Sequence, residues 1–475
     1  MKGKTYWQAR PHRSPFDTFE APDICRLVPG ENDLFLQWQD SVPGKRYTVL
    51  WRSLNQNRLW ESLEVDGCEA HIENLITWME YEVRVIRQDH TASRSRRFKP
   101  APVPGTVINY LHPADNRYAF SGKALGSPSM VHLPSGALVA GMDVFGPGTP
   151  QNLSILFRSE DGGVTWTYLC ELYPLFWGNL FVHDNRLYVM GCSTEYGDLM
   201  IGVSEDEGYT WSLPTHIFSG SSTVGAGWQQ ATMPVLRHGG RLWFAVEYAG
   251  YSAGVEHAEK GMLSGACVVS AAENADLLDP ASWSATLPIE VEPAWPGAPA
   301  GELRSIAEGN LIVDRTGELL CIMRLNITNH DPRDAYAVVM KMDEKDPEAP
   351  MTFVRYISLP SGFNSKTHIL YDEQTDLYLA IGNVCTDSAP MFQRNILALM
   401  ESPDGQHWCI SSILLDYREE RASEVGIQYP SWFIDGDDIV MQLRTAINGA
   451  RNFHDANYST FHRIRNYRNL LASAK

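Results

Sequence analysis

From residue 106 onward, short apolar runs alternate with turns rich in Gly, Asp and Asn, and the unit that returns is two apolar runs flanking one tight turn. Six such pairs can be read: 127–132 with 138–143, 179–183 with 187–192, 231–235 with 242–247, 310–313 with 319–324, 367–370 with 377–383, and 430–434 with 439–444. No helical periodicity competes in this region. The runs are of strand length, and about 370 residues over six pairs leaves roughly 60 per unit, enough for a four-stranded antiparallel blade. A radial array of six such units is a β-propeller. Residues 20–101 read differently, with alternating runs at 34–38, 47–51 and 81–86 that suit a small β-sandwich. Pro100, Pro102 and Pro104 then mark a linker. The pattern therefore predicts an all-β chain, with a small sandwich and linker over 1–104 and a six-bladed propeller over 105–475.

Composition narrows the partners. The 475 residues carry 39 Lys and Arg against 57 Asp and Glu, a formal charge of −18, and no long basic run relieves it, so nucleic acid and anionic membrane are excluded as expected partners. The opening Met-Lys-Gly-Lys-Thr-Tyr-Trp has no apolar run behind it, and no 18-residue apolar stretch occurs, which points to a cytoplasmic protein. The eight cysteines form no CxxC pair and sit mostly in apolar runs, as buried free thiols rather than disulfides or a zinc site. No metal or other cofactor is expected. Asp435-Gly-Asp437-Asp438 resembles part of a calcium loop, yet it falls where the last hairpin needs its turn.

A second repeat is independent of the hairpins. Ser159, Asp161, Gly163, Thr165 and Trp166 return as Ser204, Asp206, Gly208, Thr210 and Trp211, in compressed form as Ser402, Asp404, Gly405 and Trp408, and in degenerate form between Ser270 and Trp283. In such a turn the Ser and Asp side chains bond backbone N–H groups, Gly takes the positive φ and Trp packs beneath. These turns resemble the Asp boxes of sialidase-like β-propellers, which makes carbohydrate the expected substrate class. The boxes join third and fourth strands and so stand on the face opposite the site. In the N-terminal segment, Trp38, the Tyr47 strand, and Leu75 with Tyr81 in a tyrosine-corner position resemble a fibronectin type III module. It carries no evident site and is read as a spacer or a homo-oligomer contact.

Propeller geometry places the site. Residues just before first strands, at the ends of second strands and in loops to third strands gather at one channel mouth. These are Trp177, Trp228, Gln229, Glu308, Lys366, Gln428 and Tyr429; then Asp143, Glu247, Arg324, Asn383 and Arg444; then Arg394, His454 and Asn457. Glu308 and Arg324 are similar to the sialidase Glu that activates a Tyr nucleophile and the Arg that binds the substrate carboxylate. Tyr429 stands where that Tyr stands, and Arg394 precedes the strand of the last box as a further triad Arg does. Phenolate chemistry near neutral pH needs an adjacent base, because free Tyr titrates near 10. Two departures stand out: Gly126-Ser127-Pro128 replaces the family's Arg-Ile-Pro, and the loop 145–152 has no carboxylate where the family carries its acid. The resemblance thus implies a relative of sialidases acting on an acidic sugar, with Asp143 or Glu247 as proton donor and Trp177 and Trp228 as stacking platforms. Two alternatives remain open at this point: a uronate-directed polysaccharide lyase with His454 or Tyr429 as base, and a non-catalytic glycan-binding propeller.

Overall fold

The computed structural model describes residues 21–42, 46–55, 59–220, 226–250, 263–388 and 392–474; the N-terminal heptapeptide lies outside them. The described residues are built from β-strands, with 3-10 turns at Pro280–Ser282, Tyr467–Leu470 and Ala472–Ala474. Near the N-terminus, Asp23–Pro29, Leu34–Gln39 and Glu69–Ile72 form one sheet, and Glu61–Asp66, Arg46–Ser53, Tyr81–Arg87 and Arg96–Phe98 form a second. Alternation puts Leu34, Leu36 and Trp38 into a core shared with Tyr47, Val49, Val83 and Val85. The Tyr81 hydroxyl accepts the Ile76 N–H at 3.0 Å.

Six antiparallel meanders follow. Their first strands are Ala124–His132, Phe176–His183, Ala226–Gln229, Glu302–Val313, His368–Asp372 and Gly426–Asp435. Their second strands are Leu138–Phe145, Arg186–Cys192, Arg241–Gly250, Leu319–Thr328, Leu377–Asn383 and Asp438–Ala446, so five of the hairpins read from the apolar pattern coincide with the first two strands of their sheets; in the third, the run 231–235 lies between strands and the first strand is Ala226–Gln229 instead. The third sheet adds a short strand, Leu236–His238. Second and third strands are buried on both faces, as in Leu138–Phe145 and Leu153–Ser159, because each sheet packs between two neighbours.

The sheets contact one another in a closed order near their first strands, the third and fourth meeting where Glu247 of Arg241–Gly250 accepts the Glu308 N–H of Glu302–Val313. Leu180 N–H donates to Ser129 Oγ at 2.8 Å, Asn179 Nδ2 to Met233 O at 2.8 Å and Asn310 Nδ2 to Thr367 O at 2.9 Å. His368 Nδ1 lies 3.3 Å from Pro430 O, and Met130 N–H returns from the first sheet to Ser431 Oγ at 3.0 Å. The sixth sheet takes its outermost strand, Thr106–Tyr110, from the other end of the chain, where it pairs with Tyr458–Ile464. Val107, Tyr110, Val425, Ile447 and Tyr458 extend the N-terminal core onto this sheet.

The Ser-x-Asp turns form as their residues dictate. Asp161 accepts Thr165 N–H at 2.8 Å, Ser159 Oγ accepts Gly163 N–H at 2.9 Å, and Trp166 Nε1 donates to Gly163 O at 3.1 Å. The turns at Ser204 and Ser402 repeat this, with Trp211 donating to Gly208 O and Trp408 to Gly405 O, both at 3.0 Å. Because Ser159 pairs with Leu138 and Ser154 with Asp143, the first turn stands at the end of its sheet away from Asp143. The Asp435–Asp438 segment is the sixth hairpin turn, its carboxylates paired with Arg463, Arg465 and Arg468. All eight cysteines are free thiols; Cys68 and Cys409 are exposed rather than buried.

Candidate active site

In four sheets the first strand is bulged, its register with the second strand slipping opposite Ser127, Trp177, Glu308 and Tyr429. These four residues have φ of 47°, 58°, 54° and 55°, a left-handed conformation that costs a residue with a Cβ. Each is followed by Pro or Gly and then by Ser or Asn. Proline suits a bulge because it has no N–H to leave unpaired, and the Ser or Asn bonds a neighbouring sheet. All four bulged residues line one cleft of about 340 Å³.

Buried polar groups pin the bulges. Asp143 Oδ2 accepts Trp177 N–H at 2.6 Å, while Gln230 Nε2 donates to Trp177 O at 2.8 Å. Glu247 Oε1 accepts Glu308 N–H at 2.5 Å. Asn383 Nδ2 donates to Ile427 O at 2.8 Å, beside the Tyr429 bulge. Burial pushes the Asp143 carboxyl up to about 7, against hydrogen bonds from Ser127, Ser154 and the Trp177 backbone. Glu247 is pushed up to about 8 by burial, with the Glu308 charge adding to the effect and the Glu308 N–H opposing it.

Glu308 is the centre of the cleft. Tyr429 Oη donates to its Oε1 at 2.9 Å, and Arg324 Nη1 to its Oε2 at 2.9 Å. Burial pushes its carboxyl up, but the charge and hydrogen bond of Arg324, the Tyr429 hydroxyl and the Arg394 charge together hold it below the usual carboxylate range. An ionised acceptor is thus held on the Tyr429 hydroxyl, which is the arrangement needed to take its proton.

Two further guanidinium groups flank Tyr429, with Cζ of Arg394 5.5 Å and of Arg444 5.0 Å from its ring centroid. Among the described residues their hydrogen bonds go to neutral oxygens. Arg394 donates to Asn364 O at 3.1 Å and Gln428 Oε1 at 2.7 Å, and Arg444 Nε to His454 O at 3.0 Å. Burial pulls Arg444 down to about 10, against the pull of Tyr429, and the Arg394 charge lowers it further. Buried cations left this way favour an incoming anion. Arg444 Nη1 also lies 3.7 Å from where a Cβ on Gly126 would stand, so a guanidinium from the sixth sheet faces Gly126 of the first.

The predicted ring divides in two. Tyr429, Glu308, Arg324, Arg444, His454, Trp177 and Gln229 line the cleft, and Arg394 backs it. His454 Nδ1 lies 2.9 Å from Asp455 Oδ1, and the Arg444 charge together with burial pulls its imidazole down to about 4 despite Asp455. The others are corrected. Asp143 and Glu247 face the neighbouring sheet rather than the cleft, because the bulge N–H groups they accept lie there. Lys366 is fully buried and donates to Thr232 O at 2.6 Å. Asn383 and Asn457 bond backbone groups, Gln428 bridges Arg394 to Phe453 O, and Trp228 is a core residue between Phe218 and Tyr248. The cleft also holds residues absent from the predicted ring: Gln151, Glu195, Arg304 and Asn326. Glu195 follows the second strand of the second sheet, so the loop rule that selected Arg394 and His454 also reaches it.

No family model and no curated protein sequence matches the chain. Among solved structures, it is similar to a point mutant of an α-L-arabinofuranosidase from Fusarium graminearum in complex with an iminosugar inhibitor, with a TM-score of 0.50, 13% identity, and coverage of 76% of this chain and 97% of that chain. A Hadza microbial sialidase gives 0.48 and 14%, covering 96% of this chain and 98% of its own. A leech intramolecular trans-sialidase gives 0.46 and 9%, covering 96% and 93%. At such identities the likeness is one of architecture: the chain shares the fold of that arabinofuranosidase.

Proposed function

We propose that this chain is an exo-acting, retaining glycoside hydrolase of sialidase-like type whose substrate is an acidic glycan, sialic acid- or uronate-containing. The six meanders are read as the blades of one propeller over 105–475, a reading supported by their closed order of contacts. The two N-terminal sheets are read as a fibronectin type III-like module over 1–104, supported by the Tyr81 hydroxyl bonded five residues upstream. The activity named for the similar arabinofuranosidase belongs to the same reaction class.

The observation that carries the proposal is the 2.9 Å hydrogen bond from Tyr429 Oη to a Glu308 kept ionised by Arg324. Glu308 takes the phenolic proton as Tyr429 Oη attacks the anomeric carbon, and Tyr is the known exception among glycosidase nucleophiles. Arg444 and Arg394, with Arg324, hold the substrate's carboxylate beside that carbon. Tyr429→Phe keeps the packing and removes the nucleophile, so turnover of a sialoside or glucuronide falls at least about 10³-fold. Undiminished turnover in the folded variant overturns the proposal.

One observation favours a lyase as the second reading: His454 stands neutral on the cleft wall, with Asp455 at Nδ1 and Nε2 available to accept a proton. An ultraviolet-absorbing unsaturated uronate product, formed by a Tyr429→Phe variant as readily as by the unaltered chain, selects that reading.

A further inference from the structure

We infer that Glu195 is the proton donor to the leaving oxygen, an inference that rests on the hydrolase reading of the Tyr429 and Glu308 cleft. A hydrolase of this kind needs an acid across the cleft from its nucleophile. Asp143 and Glu247 are closed off behind the bulges they pin, and His454, held neutral by the Arg444 charge and burial, has no imidazolium proton to give. Among the described residues that line the cleft, the carboxyl groups are Glu308 and Glu195, and both oxygens of Glu308 are engaged by Tyr429 and Arg324.

Glu195 is held as a positioned acid would be. Its Oε2 accepts from Gln151 Nε2, a neutral amide rather than a cation. Burial pushes its carboxyl above the usual range, against the bonds from Gln151 and Tyr196. The loop beneath it is tight: Gly197 N–H donates to Thr194 O at 2.9 Å, Ser193 N–H to Asp198 O at 2.9 Å, and Trp228 N–H to Gly197 O at 3.0 Å. Gln151 and Tyr196, which bond the carboxyl, have left-handed backbones with φ of 52° and 58°. Such strain persists only where the surroundings enforce it, and it gathers at functional sites.

In the first step Tyr429 Oη bonds to the anomeric carbon and its proton passes to Glu308, while the glycosidic C–O bond breaks and the leaving oxygen takes the Glu195 proton. In the second, Glu195 as carboxylate takes a proton from water, whose oxygen bonds to the anomeric carbon. The C–O bond to Tyr429 breaks as that bond forms, and Glu308 returns the phenolic proton. The sum is hydrolysis, with both carboxyl groups restored.

The test compares leaving groups. The full chain is assayed on 4-methylumbelliferyl N-acetylneuraminate and 4-nitrophenyl glucuronide, whose leaving groups need little protonation, and on 3′-sialyllactose and a glucuronate-terminated disaccharide, whose leaving groups need it. In Glu195→Gln, kcat/KM on the oligosaccharide falls about 10²- to 10⁴-fold and on the aryl glycoside of the same sugar far less, and the alkaline limb of the pH profile disappears. Equal losses on both substrates with an unchanged pH profile overturn the inference. They leave the Tyr429 reading standing, since Tyr429→Phe loses both substrates alike. An unaltered chain inert on all four substrates overturns the hydrolase reading and this inference with it. Gln151→Leu supplies a second readout: it removes an N–H that stabilises the carboxylate, so the alkaline limb moves to higher pH, and an unmoved limb overturns the inference.

Discussion

Asp143 and Glu247 hold protons that ordinary carboxyl groups have lost near neutrality, because burial raises them to about 7 and about 8. A carboxyl whose folded value lies above its unfolded one binds more protons in the folded state. Its contribution to stability is therefore complete below about 4 and is lost as pH rises through those folded values. The melting temperature should fall between about pH 5 and pH 8.5, and the Asp143→Asn, Glu247→Gln double variant should flatten that fall; equal slopes in thermal melts would contradict it. Arg444 makes a different prediction. Arg444→Met removes a buried cation whose hydrogen bonds go to a neutral oxygen, so KM for an acidic substrate should rise about 10- to 100-fold with kcat changing less, as steady-state kinetics would record.

At the level of strands and turns, cleft and scaffold stand at opposite ends of the sheets. Trp211→Phe removes the Nε1 bond to Gly208 O in a turn far from the cleft. It should lower stability by about 1–2 kcal/mol in denaturant unfolding while kcat/KM per folded molecule stays unchanged. Gly227→Ala should act the other way. A Cβ there would stand 1.7 Å from Tyr196 O, so the loop holding Glu195 must shift and activity should fall more steeply than stability. The hairpins were legible because tight turns and short apolar runs leave a local trace. The bulges were harder, since Ser127, Trp177, Glu308 and Tyr429 share no side-chain type; what recurs is the Pro or Gly after each and the Ser or Asn beyond. Asp143 and Glu247 were misplaced for a related reason. Residues at a strand's end can point to the cleft or to the next sheet, and a one-residue bulge in the neighbour decides which groups await them. The loop rule reaches the wall residue Glu195 as well, but no motif around it marks it out from the other residues of its loop.

Across the whole molecule, the N-terminal sheets and the ring share one core and a set of buried charges. Arg117 donates to Asp23 at 2.7 Å and to Glu171 at 2.6 Å, joining the first strand of the sandwich to the outer strand of the first meander. Arg117→Met leaves Glu171 buried without its cation, and should cost about 3–5 kcal/mol. The shared core also predicts one calorimetric transition for the chain rather than two. The pairing of Thr106–Tyr110 with Tyr458–Ile464 sets an order of events during synthesis. The strand that closes the ring leaves the ribosome before the six first strands, attached to the N-terminal sheets, and its partner leaves only after the first five meanders. Until then the ring has two open edges and no means of joining them. The early strand stays flanked by the folded sandwich, which keeps its apolar face from other nascent chains while the remaining sheets emerge.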